Sequence, residues 1–126
     1  MWLHPQILDP EVNIPGYYLL RSDCAAIMHG SICVYVKSNI AAVSMLAYSN
    51  GVVEALVTKI KSLNLILFIV YRHPGASPEE FLDAMDCVST DIDIIKANNN
   101  KYGNILGLGD FNLPGMDWPN TTVKTL

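Results

Sequence analysis

Gly109-Asp110-Phe111-Asn112-Leu113-Pro114-Gly115-Met116-Asp117-Trp118 is the stretch on which the reading of this chain turns. It follows Asn104-Ile105-Leu106-Gly107-Leu108, a short apolar run with the pattern of a buried strand. On an extended backbone, side chains two apart point the same way, so Asp110 and Asn112 are expected to project together from a strand end. Gly109 has no Cβ and lets a backbone or a ligand approach closely. Pro114-Gly115 then turns the chain. A carboxylate beside a carboxamide at a strand end suits phosphate chemistry. The acid can orient or deprotonate a water or bind Mg²⁺, and the amide can donate to a phosphoryl oxygen as charge develops there. The plain alternative is a turn-forming Asp110 and an Asn112 that holds the loop as an Asx-turn.

The elements that lead to this loop follow from periodicity. Residues 5–16, with Pro5, Pro10, Pro15 and Gly16, form an irregular connector, and Tyr17–Arg21 can be a strand. Ile32–Lys37 alternates Ile32, Val34 and Val36 with Cys33, Tyr35 and Lys37, a strand pattern. Val52–Ile60 and Leu63–Tyr71 are two more strands, with Lys61-Ser62 as a hairpin connection. The second is apolar on both faces after Asn64, which marks a central strand covered on both sides. Ser77-Pro78-Glu79-Glu80 opens a helix with a capping box and proline at the first helical position. Phe81, Met85, Val88, Ile92 and Ile95 recur as one apolar stripe. Asp83, Asp86, Asp91 and Asp93 lie off it and read as a solvated face. Asn98-Asn99-Asn100 ends the helix. The order strand, helix, strand and then a loop carrying polar side chains is α/β logic, with the site at a strand C-terminus.

Composition sets bounds on function. At 126 residues the chain fits one small domain, and 51% hydrophobic content is ample for a core. Net charge is −4, and the eight Lys and Arg residues are scattered along the sequence, so electrostatics do not support tight DNA binding. Mean hydropathy is +0.27, which fits apolar surface that has lost part of its cover. Cys24, Cys33 and Cys87 show no CxxC or paired spacing and read as reduced, mostly buried thiols. No apolar run approaches the ~20 residues of a transmembrane helix and there is no signal peptide, so no membrane role and an intracellular setting are expected.

Four segments carry a resemblance. Gly109-Asp110-Phe111-Asn112 resembles the signature of the endonuclease/exonuclease/phosphatase superfamily, the Mg²⁺-dependent phosphodiesterases related to DNase I. The longer string to Trp118 resembles the version in endonuclease domains of non-LTR (LINE-like) retrotransposons. Trp2-Leu3-His4-Pro5 looks like the tail of that family's Glu-Thr-Trp-Leu motif, and Gly30–Ser38 looks like its Gly-Gly-Val-x-Ile-Tyr-Val-Lys strand. Val70-Tyr71-Arg72-His73-Pro74 looks like its Val-Tyr-Arg-Pro-Pro segment. The resemblance spans essentially the whole chain in the expected order.

It implies a two-sheet β-sandwich flanked by helices, DNase I-like, and Mg²⁺-dependent hydrolysis of a DNA phosphodiester for retrotransposon target nicking, in the nucleus. It implies Asp110, Asn112 and Tyr71 as catalytic positions, with Arg72 a further candidate for phosphate. No metal ligand is assigned, because the family's Glu falls two residues before the Trp and so before Met1. The first strand with its Asn, and the C-terminal Ser-Asp-His segment, also lie outside residues 1–126. The expectation is therefore a partial domain that is inactive as it stands, with open sheet edges that favour oligomers or aggregate. A non-catalytic remnant that binds a partner is the main competing reading. A phosphoesterase acting on inositol phosphates or phospholipids is a third, and the Leu113–Trp118 extension argues against it. His73 stands where the family pattern has Pro and receives no catalytic role, and Glu54 is left outside the site.

Overall fold

A computed structural model describes residues 6, 8–22, 31–98 and 103–113. In chain order the strands are β1 (Tyr17–Ser22), β2 (Ile32–Lys37), β3 (Ala42–Ser49), β4 (Val53–Ile60), β5 (Leu65–Arg72) and β6 (Asn104–Asp110). One α-helix, α1 (Pro78–Asn98), joins β5 to β6, and short 3₁₀ turns cover Asp9–Val12 and Lys61–Leu63. The fold is mixed α/β, with a two-stranded sheet β1-β2 and a four-stranded sheet β3-β4-β5-β6. β3, β4 and β5 pair antiparallel, and β5 pairs parallel with β6.

The larger sheet is sided by period two. Val53, Ala55 and Val57 of β4, with Ile66 and Val70 of β5, form one core cluster with Ala84, Val88 and Ile92 of α1. Phe81, Met85 and Ile95 pack against it, so the apolar stripe read from the sequence is the buried helix face. The capping box is present: the Ser77 N–H donates to Glu80 Oε2 (3.0 Å) and the Glu80 N–H to Ser77 Oγ (3.1 Å). Ser77→Ala is expected to cost about 1 kcal/mol, read as a lower urea midpoint at unchanged slope.

The opposite face carries Glu54, Leu56 and Thr58, all wholly buried. β1 and β2 pack against β4 and β5. Ile32 and Val36 are buried while Lys37 is exposed, as the alternation predicts. The Tyr18 hydroxyl ties the two sheets: it donates to the Ile40 carbonyl (2.5 Å) and accepts from the Ala42 N–H (2.7 Å). The connector before β1 is held from outside by Tyr35, whose hydroxyl donates to the Val12 carbonyl (2.6 Å), and by an Arg21–Asp9 ion pair (2.8 Å).

Three expectations change. β3 is a full strand that the sequence reading passed over. Its pairing with β4 shifts between Ser44 and Leu46, so a bulge at Met45 breaks the period-two signal, and most of its residues are exposed. The β4–β5 connection is longer than Lys61-Ser62, because a 3₁₀ turn ends at Asn64 in the left-handed region (φ 54) before β5 begins. As expected, β5 is an inner strand, flanked by β4 and β6, with α1 on one face and β2 on the other, and β4 beside it is buried along its first six residues. Cys87 is exposed on α1 and Cys33 is half-buried, both as free thiols, because Cys87 falls off the apolar stripe. Cys24 and the Pro114–Trp118 turn lie outside the described residues.

Candidate active site

The register brings together residues that lie far apart in sequence. Tyr71 of β5 is the direct partner of Asp110 of β6, and on its other side Tyr71 is paired with Glu54 of β4. Glu54 is in turn paired with Ser49 of β3. Directly opposed residues share a face, so Ser49, Glu54, Tyr71 and Asp110 make one polar row across the sheet, on the face away from α1. The row sits at the C-terminal ends of the parallel strands β5 and β6. Ligands in α/β sheets bind outside such ends.

Asp110 is exposed, the last residue of β6. An open cleft of about 790 Å³ runs along it, lined by Pro74, Gly107, Leu108, Gly109, Asp110, Phe111, Asn112 and Leu113. Tyr71 is half-buried beside it, and the His73 ring meets the Tyr71 ring edge-on, with centroids 5.0 Å apart at 71°. Tyr71 and His73 are two apart and so share the face of the row.

Asn112 departs from the extended geometry expected of it. Its φ is 44, in the left-handed region, so it does not project parallel to Asp110. Instead its N–H donates to Asp110 Oδ1 (3.2 Å), an Asx-turn, and its Nδ2 donates to the Arg72 carbonyl. One of its two amide donors is thus committed to fixing the loop on the end of β5. The loop gains further support from Phe111, whose ring meets Phe81 of α1 edge-on at 6.3 Å between centroids.

Arg72 was expected to reach phosphate, and the structure gives its guanidinium a different position. It follows Tyr71, so it points to the other face of the sheet. It is 8% exposed, its Nη2 donates to the Ala76 carbonyl (2.7 Å), and its guanidinium lies 5.3 Å from the Phe81 ring centroid. This cation–π and hydrogen-bond pair anchors the entry to α1. The Tyr71–Asp110 row is on the side it has left.

Glu54, outside the site expected from sequence, joins the row through its pairing with Tyr71. Its carboxyl is completely buried, and its Oε1 accepts from the Ser49 hydroxyl (3.0 Å). Strand register alone brings it beside Tyr71, which sequence spacing cannot reveal. Its one sequence signal is an acid within an otherwise apolar strand, Val52–Val57. His4, His29, Asp117 and Trp118 fall outside the described residues.

Among the described residues, no group of three or more His, Cys, Asp or Glu side chains is arranged to hold a metal ion. No helix among them is long and apolar enough to cross a membrane. No protein-family model, curated protein or solved structure matches the chain.

Proposed function

We propose that residues 1–126 are a partial endonuclease/exonuclease/phosphatase domain of the retrotransposon type. They would carry part of a DNA-nicking site, with Asp110 the sole carboxylate among the described residues that line the cleft. The observation that supports this most is the pairing of Tyr71 with Asp110, two residues that the resemblance assigns to the same site. They come from segments 39 positions apart in sequence and meet side by side on one face, with Asp110 also lining an open cleft. In this reading the Asp110 carboxylate orients or deprotonates the attacking water. The Tyr71 hydroxyl donates to a phosphoryl oxygen. Asn112 acts first as the brace of the loop, and its remaining amide hydrogen is available to phosphate.

Magnesium enters only through the resemblance. It prefers oxygen ligands in an octahedral set and is held by one or two carboxylates with waters and phosphate oxygens. Among the described residues that line the cleft, Asp110 is the sole carboxylate, and Glu54 is enclosed in the sheet interior. This donor set does not make a magnesium site by itself. DNA as partner and the nucleus as location rest on the same resemblance, against a net charge of −4.

The test is nicking of supercoiled plasmid in Mg²⁺ by the purified chain beside its Asp110→Ala variant. Equal, background rates are expected, because acid–base assistance alone contributes about 10²–10⁴-fold and, among the described residues, the cleft holds a single carboxylate and no group arranged to hold a metal. Clear Mg²⁺-dependent nicking that Asp110→Ala abolishes would show a complete catalyst and overturn the reading of an inactive part.

A further inference from the structure

Among the described residues β6 is the outer strand of the four-stranded sheet, and all seven of its residues are exposed. Its hydrogen-bonding direction is known from its first residue: the Asn104 N–H donates to the Asn64 carbonyl (3.3 Å), toward β5. Backbone groups alternate along a strand. Asn104, Leu106, Leu108 and Asp110 therefore turn theirs to β5, and Ile105, Gly107 and Gly109 turn theirs outward. Natural edges are blunted by proline, lysine, bulges or a covering element. Asn104–Asp110 contains no proline and no basic residue, its pairing with β5 runs without a register shift, and Leu106 and Leu108 remain 46% and 48% exposed.

The sequence of this edge is self-complementary about Gly107. We propose that β6 pairs antiparallel with β6 of a second copy of this chain, about a two-fold axis through Gly107. In that register Gly107 meets the partner's Gly107, and Ile105 meets the partner's Gly109. These are the residues with outward N–H and C=O groups, so they exchange the ladder bonds. On the other face Leu106 lies opposite the partner's Leu108, and Asn104 lies opposite the partner's Asp110, amide donor against carboxylate. Moving the axis by one residue, to Leu106 or Leu108, sets a leucine against Asn104 or Asp110 instead. Register is specified where such a shift exchanges apolar for polar partners.

A single strand pair with its flanking side chains buries less than the ~1,200 Å² of a stable interface, so the dimer is reversible and depends on concentration. Nothing in this pairing requires the phosphate reading. It needs only the exposed edge and its sequence. It would nonetheless engage Asp110, so association and access to the cleft compete.

The experiment is sedimentation velocity of the whole chain over a concentration series, with amide hydrogen exchange at the same concentrations. Reversible dimerisation is expected, with protection rising at Ile105, Gly107 and Gly109. The Leu106→Lys/Leu108→Lys variant sets lysines against lysines and should weaken association about tenfold or more. The Leu106→Glu/Leu108→Glu variant should do the same, and an equimolar mixture of the two should recover a heterodimer. Leu63→Lys, on the exposed turn before β5, should associate like the unmodified chain, and circular dichroism should show all variants folded. A monomer at every concentration would overturn the proposal. So would association unaffected by the lysine pair, or a mixture that fails to recover. If the lysine and glutamate variants do not fold, the exchange data on the unmodified chain decide: protection independent of concentration at the three outward amides is the overturning result.

Discussion

Asp110→Asn is expected to slow DNA cleavage by about 10²–10⁴-fold in a longer chain that carries the Glu-Thr-Trp-Leu and Ser-Asp-His segments around these residues. The substitution preserves size and keeps an Oδ1 acceptor for the Asn112 N–H, so the Asx-turn that shapes the loop survives. What it removes is the negative charge at the one exposed carboxylate of the cleft. Tyr71→Phe should cost less, because it deletes one hydrogen bond, worth roughly 0.5–3 kcal/mol depending on the charge of its partner. Asn112→Ala should lower both rate and stability, because the same amide holds the Arg72 carbonyl. His73→Ala should be nearly silent, since His73, whose ring meets Tyr71 edge-on, carries no proton-transfer role in this reading. The measurement is single-turnover cleavage of a labelled duplex, with circular dichroism of each variant as the folding control. If His73→Ala abolished cleavage while Asp110→Asn did not, the assignment of roles would fail even with the fold correct.

Gly109→Val is the substitution expected to damage the fold most. A Cβ built at Gly109 lies 2.0 Å from the Val70 carbonyl oxygen, a backbone atom of the neighbouring strand that cannot move aside alone. Either β6 separates from β5 or the loop beyond it shifts, and the Tyr71–Asp110 pairing is lost in both cases. Overpacking costs typically ~1–3 kcal/mol, and a backbone clash with a branched side chain should lie at or above the top of that range. For a domain whose stability is on the order of 5–15 kcal/mol, that is a large fraction. Urea titration should show a much lower midpoint or no cooperative transition. Gly103→Ala, where an added Cβ meets nothing within 4 Å, is the matched control and should change the midpoint little. Equal stability of the two variants would refute the close approach at Gly109.

Local signals in the sequence were sufficient wherever the physics is local. Ser77-Pro78-Glu79-Glu80 announces the helix start because the cap closes within one turn. The stripe from Phe81 to Ile95 announces its buried face because helical period sets which side chains meet the sheet. The alternation of Ile32–Lys37 and the apolar runs of β4 and β5 were legible for the same reason. Asp110 and Tyr71 were singled out as site residues from motif resemblance and strand ends, and Gly109 from its missing side chain.

Pairing across strands decided the rest. Which residue lies opposite which is set by register, and register depends on turns and bulges distant from the residues concerned. Hence β3, interrupted by its bulge, gave no clear period, and Glu54 showed no tie to Tyr71 until β4 lay against β5. The left-handed φ of Asn112 converted an expected parallel projection into a turn braced on the Arg72 carbonyl. Arg72, adjacent in sequence to Tyr71, went to the opposite face because a strand alternates its side chains, and there Phe81 and the Ala76 carbonyl hold it. The sequence by itself determined the helix and most of the strands. Only the tertiary structure decided which of those side chains share a face, because that depends on contacts between segments the chain keeps far apart.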